Sequence, residues 1–150
     1  RSVSRGLGDV YKRQVEKEIE KTIQQVHRII DGEPSPQQCL RKIMLNHLRF
    51  PEQYRTVLMW LNTESDYLEE EYRKRLKDAR YAYQDIIKSV IDNGVTTGIF
   101  RKTDTALVTR LLINSMLSIS YTSRPLDSSE KMLDETMNIF LHGIMHDGGE

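Results

Sequence analysis

Apolar residues recur every three or four positions along most of the chain, and the longest such stretch runs from Glu64 to Gly94. At about 100° per residue, one narrow face of this stretch collects the apolar and aromatic side chains. These are Leu68, Tyr72, Leu76, Ala79, Tyr83, Ile86 and Val90. The pattern predicts one unbroken amphipathic helix, and at about 1.5 Å per residue it is long enough to cross a small domain. Other helices must therefore pack along it.

Arg75 departs from this pattern because it projects within about 50° of the centre of the apolar face. A guanidinium in that position can contact a carboxylate or phosphate of a ligand in a mostly apolar pocket. Alternatively it forms a structural ion pair with Glu71, one helical turn earlier. We carry Arg75 forward as a candidate ligand contact, with the Glu71 pair as the alternative.

Two helices are predicted before the long one. The first begins at Val15 and ends at Gly32. The second begins after Ser35, which is its N-cap. Pro36 is its first helical residue, and Gln38 completes a capping box with Ser35. The inner face of the second helix holds Leu40, Ile43, Met44, His47 and Leu48. Both helices thus present one apolar side to the long helix.

A short helix is predicted from Glu52 to Leu61, after Pro51 interrupts the chain. The long helix should end at Gly94, since glycine adopts the left-handed conformation that closes a helix. The connector from 95 to 104 contains Phe100 as an apolar plug.

The last two helices are predicted at about 104–122 and 128–146. Thr103 or Asp104 caps the first of them, whose apolar residues cover most of its circumference, so it should be buried nearly all round. The residues Asp127-Ser128-Ser129-Glu130 form a second capping-box signal. The chain is therefore expected to be all-α, with six helices and no strand.

The composition sets further limits. A length of 150 residues fits one domain, and a hydrophobic share of 38% is lean for a freestanding core, so a shared interface would help. The 22 basic residues balance 22 acidic ones. Because residues 1–14 carry a net +3, residues 15–150 carry a net −3 and are unsuited to holding DNA by themselves. The single cysteine, Cys39, and the lack of a membrane-length apolar run indicate a cytoplasmic protein.

Residues 1–14 follow no helical or strand period, which predicts a disordered tail. Their sequence also resembles translated sequencing-adapter read-through at the end of a fragmentary reading frame, in which case the segment is non-native. The alternative is a flexible native tail. The helix at Val15 begins without an N-cap residue, which is what a truncated chain would show. We therefore take residues 15–150 as the domain.

The order of the helices resembles the C-terminal half of tetracycline-repressor-like transcriptional regulators, over about residues 15–146. The residues that carry the resemblance lie at the end of the long helix and after it. They are Asp92-Asn93-Gly94, Gly98-Ile99-Phe100-Arg101, Asp104 and Leu111-Leu112. The stretch from Tyr121 to Asp127 is similar to the subgroup of fatty-acid and steroid catabolism repressors, whose ligands are acyl-coenzyme A thioesters.

The resemblance implies a homodimer that binds a small hydrophobic effector, such as an acyl-coenzyme A or a fatty acid. The last two helices of each subunit would form a four-helix bundle, with Leu133, Met137, Phe140 and Ile144 as its apolar seam. The family's DNA-reading helix-turn-helix is missing from this chain, so operator DNA would be bound only through that absent N-terminal part. No membrane partner is expected.

Several polar or aromatic side chains on inward faces are candidate ligand contacts. Trp60, Tyr72 and Tyr83 would line a cavity, and the alternative for each is plain aromatic core. Asn114, among apolar neighbours, is either a hydrogen-bond donor in the pocket or a buried residue satisfied across the subunit interface.

Enzymatic and metal chemistry have little support in the sequence. His142 and His146 lie four residues apart, but the glutamate of the hydrolase pattern is missing, and a histidine near a helix C-terminus is favourable in any case. His27 and His47 are expected to be packing residues. We therefore expect no catalytic residue, metal or cofactor. The leading hypothesis is an effector-binding and dimerisation domain of a repressor, and the alternative is a helical adaptor for protein partners that encloses no ligand.

Overall fold

The computed structural model describes residues 2–49, 70–120, 124 and 127–146, and within them the chain forms five helices. They are α1 (Ser2–Gly32), α2 (Pro36–Leu48), α3 (Glu70–Thr96), α4 (Thr105–Ser120) and α5 (Ser129–Ile144). The all-α fold predicted from the periodicity is confirmed. In the described residues the only β pairing is an isolated bridge between Phe100 and Met145. The helix predicted at 52–61 and the start of the long helix at 64 lie outside the described residues.

Side chains cap three helices at the predicted positions. Ser35 Oγ accepts a hydrogen bond of 3.4 Å from the backbone N–H of Gln38 at the start of α2, where Pro36 is the first helical residue. Asp104 Oδ1 accepts one of 3.0 Å from Leu107 N in α4, and Ser128 Oγ accepts one of 3.3 Å from Lys131 N in α5. Each bond satisfies a backbone donor that has no partner inside its own helix.

Helix α1 begins at Ser2, not at Val15 as the apolar pattern predicted. No proline interrupts residues 2–14. A helix that has already formed at Val15 gains a backbone hydrogen bond for each residue added, so it can extend without an apolar stripe. The far end of α1 agrees with the prediction and lies at Gly32.

Helix α3 continues past Gly94 to Thr96, which corrects the predicted end. The left-handed residue is Gly98, with φ of 77°, and its N–H donates to Val95 O at 3.1 Å. Gly94 is needed for a different reason, because the ring of Phe100 lies where a β carbon on Gly94 would be. Phe100 is buried, as predicted for the apolar plug, and its N–H donates to Gly94 O at 2.9 Å.

All five helices contribute to one main apolar core, and α2 contacts each of the others. Among its fully buried members are Val26 from α1, Ile43 from α2, Ile87 from α3, Met116 from α4 and Leu133 from α5. Val15, Tyr72 and Leu76 are also buried, but they lie apart from this core, where α1 meets the first half of α3. These three buried side chains therefore lie outside the main core formed by the described residues.

The turn after α3 is attached to the end of α5. Arg101 N donates to Ile144 O at 2.7 Å, and His146 N donates to Ile99 O at 3.4 Å. The side chain of Arg101 adds a bond of 2.8 Å from Nε to Gly143 O. These bonds hold the carboxyl ends of α3 and α5 together.

Candidate functional site

Three of the predicted ligand contacts, Tyr72, Arg75 and Tyr83, lie along α3. Tyr72 and Arg75 face α1 near the start of α3, whereas Tyr83 faces α2 further along. Trp60, the fourth, lies outside the described residues. The α3 residues therefore occupy two separate positions, about three turns apart along the helix.

Arg75 forms an ion pair across helices. Its Nη1 lies 3.5 Å from Oε1 of Glu16 on α1, so the structure shows a partner other than Glu71, the neighbour that helix spacing suggested. The Arg75 side chain is 59% exposed. An arginine has five N–H donors, so one contact through Nη1 does not use its full hydrogen-bonding capacity.

Tyr72 is buried beside this pair. The ammonium of Lys12 lies 5.0 Å from the centre of the Tyr72 ring, which is within the range of a cation–π contact. Both contacts at this end of α3 thus join it to α1.

Tyr83 is joined to α2 by a hydrogen bond. Its hydroxyl lies 3.0 Å from His47 Nδ1, and the two rings are stacked with centroids 5.6 Å apart. Burial raises the pKa of the Tyr83 phenol well above its usual range, because the charged form loses its hydration. The phenol is therefore neutral at physiological pH and can donate or accept a hydrogen bond.

The sequence did not identify the polar role of the last turn of α2. His47 was expected to be a packing residue, and Asn46 was not considered. In the structure Asn46 Nδ2 is shielded from solvent and donates no hydrogen bond to any described residue. The sequence feature that could have indicated this role is the polar pair Asn46 and His47, which lies one turn after Ile43 on the inner face of α2.

Asn114 does not join the α3 residues. It lies on an exposed side of α4 with Leu107 and Leu111, which are 51% and 50% exposed. Helix α4 is therefore not covered all round by its own chain, because α2, α3 and α5 are packed on the opposite side. On the adjacent helix α5, Ile139 is 65% exposed. Large apolar side chains thus remain uncovered on both of the last two helices.

The residues predicted to form the dimer seam face the core of their own chain. Leu133, Met137 and Ile144 are buried in the chain's own core, and Phe140 packs partly buried against it. Their part in a contact between subunits stays a prediction. The outward side of α5 is instead the one that carries Ile139.

The two C-terminal histidines point to structural roles. His142 Nδ1 lies 2.9 Å from Asn138 O in the preceding turn of α5, and the backbone of His146 pairs with Ile99. Across residues 2–49, 70–120, 124 and 127–146, no three histidine, cysteine or acidic side chains are grouped as metal ligands would be. Within the same residues, no helix combines the length and apolar character that a membrane crossing requires.

Comparison with known families gives one match. Residues 33–144 fit the model of the tetracyclin repressor-like C-terminal domain. No curated protein matches the chain.

Solved structures of transcriptional regulators share the fold. The ketosteroid transcriptional regulator of Mycobacterium tuberculosis superposes with a TM-score of 0.76 at 15% identity, over 93% of this chain and 74% of that one. PfmR, a regulator from Thermus thermophilus, gives 0.72 at 18% identity, over 87% and 72%. AibR, solved with isovaleryl coenzyme A and operator DNA, gives 0.65 at 15% identity, over 85% and 73%.

Proposed function

The chain belongs to the tetracyclin repressor-like C-terminal domain family, and on that basis we propose that it is the effector-binding and dimerisation domain of a one-component transcriptional repressor in the cytoplasm. The observation that carries this proposal is the family match over residues 33–144, which includes all of α2 to α5. A match to this family supports a regulatory role.

For the effector we propose a small hydrophobic acyl compound, in particular an acyl-coenzyme A thioester. Such a ligand combines an apolar chain with a carbonyl acceptor and several anionic groups. The described residues offer matching chemistry: Asn46 and the Tyr83–His47 pair can bond a carbonyl inside the bundle, and Arg75 can bond an anionic group at its surface. The regulator AibR, which has the same fold, was solved with isovaleryl coenzyme A.

For the dimer we propose a contact through the outward sides of α4 and α5. Leu107, Leu111 and Ile139 are half or more exposed, and burying such side chains between two subunits removes apolar area from water. Asn114 lies on the same side of α4 and would bond across this contact. This arrangement keeps the last two helices as the interface, as the resemblance implied, but uses different residues from the predicted seam.

Operator DNA would be bound by a helix-turn-helix part outside residues 15–150. We propose that effector binding shifts the position of α1 relative to α3 and so favours one of two spacings of the DNA-reading parts in the dimer. The ligand needs only to bind one of the two arrangements more tightly than the other.

Titration of the full chain with isovaleryl-coenzyme A and octanoyl-coenzyme A by isothermal calorimetry tests the proposal. We expect saturable binding with a dissociation constant in the micromolar range or below, and weaker binding of free coenzyme A, which lacks the acyl chain. Tyr83→Phe should weaken acyl-coenzyme A binding about fivefold or more through the lost hydroxyl, whereas Tyr81→Phe, on the exposed side of α3, should not. No binding of either thioester at millimolar concentration would favour the helical adaptor instead.

A further inference from the structure

The ion pair between Glu16 and Arg75 leaves the carboxylate incompletely satisfied. Glu16 Oε1 is shielded from solvent and accepts no hydrogen bond from any described residue. Its separation of 3.5 Å from Arg75 Nη1 is longer than a charge-assisted hydrogen bond, which is usually about 2.7–2.9 Å. The Glu16 side chain as a whole is 29% exposed, so its pair with Arg75 is a partly exposed contact of modest strength.

Arg75 has the opposite environment. More than half of its side chain is exposed, and the described residues offer it no second carboxylate. A planar guanidinium can bind a carboxylate or phosphate through two parallel bonds, which is a better geometry than its single long contact with Glu16. An anion arriving from solvent can therefore compete for Arg75.

Among the described residues, the pair lies beside the part of α1 that is outside the main apolar core. Beside it, α1 contacts the first half of α3 through Val15, Tyr72 and Leu76, which lie apart from the main core. The far end of α1, in contrast, contributes Val26 to that core. Loss of one contact near Glu16 should therefore affect the first half of α1 more than the second.

From these three observations we infer that the Glu16–Arg75 pair is an electrostatic latch that an anionic group of the effector opens. The anion, a phosphate or carboxylate attached to the acyl compound, takes the guanidinium of Arg75. Glu16 then loses its ion-pair partner, and the first half of α1 is free to move away from α3. The inference rests on the proposed function, because it requires that the chain bind an anionic acyl effector.

Calorimetric titration of three variants of the full chain with octanoyl-coenzyme A tests the latch. Glu16→Gln removes the competing charge and should tighten binding about two- to fivefold, the range of a partly exposed ion pair. Arg75→Gln should weaken it about tenfold or more. The matched control is Asp134→Asn, which removes the acidic partner of Arg41 from another cross-helix pair, 2.7 Å long, between α2 and α5. This control should leave the affinity unchanged.

Hydrogen exchange gives a second measurement that does not depend on affinity. In the wild type, octanoyl-coenzyme A should speed amide exchange at residues 13–20 of α1. In Glu16→Gln these amides should exchange faster before any ligand is added, and the ligand should change them little. Thermal unfolding of each variant shows whether it remains folded.

The possible outcomes distinguish failure of the latch from failure of the proposed binding of an acyl-coenzyme A effector. If the wild type binds the thioester but Glu16→Gln binds it equally or more weakly, the latch is overturned and the effector proposal stands. Unchanged exchange of α1 in the wild type upon binding would also overturn the latch alone. If the wild type binds no acyl-coenzyme A, both the effector class and the latch are wrong.

Discussion

The aromatic ring of Phe100 occupies the space next to the α carbon of Gly94 that any larger residue would need for its β carbon. A β carbon built on Gly94 would lie 2.9 Å from Phe100 Cγ and closer still to two other ring atoms. Real β carbons essentially never approach other atoms so closely. The turn after α3 is therefore packed onto the helix it leaves, and this packing requires glycine.

Gly94→Ala should lower the free energy of unfolding by about 1–3 kcal/mol. The methyl group forces the buried Phe100 ring to move, at the usual cost of overpacking, and the better helix propensity of alanine offsets only part of it. Urea unfolding followed by circular dichroism measures the change. Gly32→Ala is the control, because no atom lies within 4 Å of the position its β carbon would take. An equal effect of both substitutions would contradict the steric argument.

Two substitutions on α5 should separate its inner from its outer side. Leu133→Ala should lower the free energy of unfolding by about 2–5 kcal/mol, because the residue is fully buried in the core of its own chain. The Leu133→Ala variant should remain a dimer. Ile139→Glu, at a position that is 65% exposed, should instead produce a folded monomer, since a charge is costly at an apolar subunit contact.

Light scattering after size exclusion distinguishes these outcomes. Tyr81→Glu replaces another exposed large side chain, on α3, and should leave the dimer intact. A dimer that survives Ile139→Glu but dissociates with Met137→Ala would return the interface to the originally predicted seam.

Tyr83 should make the protein less stable at alkaline pH. Because burial raises the pKa of its phenol in the folded state above the ordinary value of 10.0, the folded chain retains a proton that the unfolded chain loses. The stabilisation is complete below about pH 10 and decreases as pH rises further, by up to about 1.4 kcal/mol per pH unit for one proton. Wild type and Tyr83→Phe should therefore differ in the slope of unfolding free energy above pH 10, and equal slopes would show that the phenol titrates normally.

Asp92 should contribute stability that is lost in acid. Hydrogen bonds from Thr105 and from Lys88, whose Nζ lies 2.9 Å away, hold the pKa of the Asp92 carboxyl below its ordinary value of 3.8. The contribution is present above about pH 4 and disappears as pH falls through the lower folded-state pKa. Asp92→Asn should cost about 0.5–1 kcal/mol at pH 7, since the group is partly exposed, and nothing near pH 2. Denaturant unfolding at both pH values provides the test, and Asp78→Asn, exposed on the same helix, is the control.

The starts of α2, α4 and α5 were predictable from the sequence because they depend on local chemistry. The caps at Ser35, Asp104 and Ser128 each bond to a backbone N–H three residues later, so their geometry is contained in a short stretch of sequence. The end of α3 was not predictable in this way. Gly94 and Gly98 are both glycines that follow a helical pattern, and only the packing of Phe100 decides which of them is left-handed.

The candidate site was predicted in part, for the same reason. The inward positions of Tyr72 and Tyr83 followed from helical spacing, but the partners of Tyr83 and Arg75 lie on other helices and far away in sequence. The periodicity of α5 marked an apolar side correctly, yet it could not tell an interface from a core. Leu133 and Ile139 are both apolar, and only the position of α2 shows that the first is enclosed and the second is not.

The two ends of α3 are joined to the neighbouring helices by different kinds of contact. At the carboxyl end of α3, backbone bonds from Arg101 and His146 and the side chain of Arg101 resist any sliding of the two helices. At the amino end, the contacts described between α3 and α1 are made by side chains, among them the Glu16–Arg75 ion pair and the contact of Lys12 with the Tyr72 ring. A movement of α3 relative to α5 therefore breaks backbone hydrogen bonds, whereas a movement relative to α1 breaks side-chain contacts.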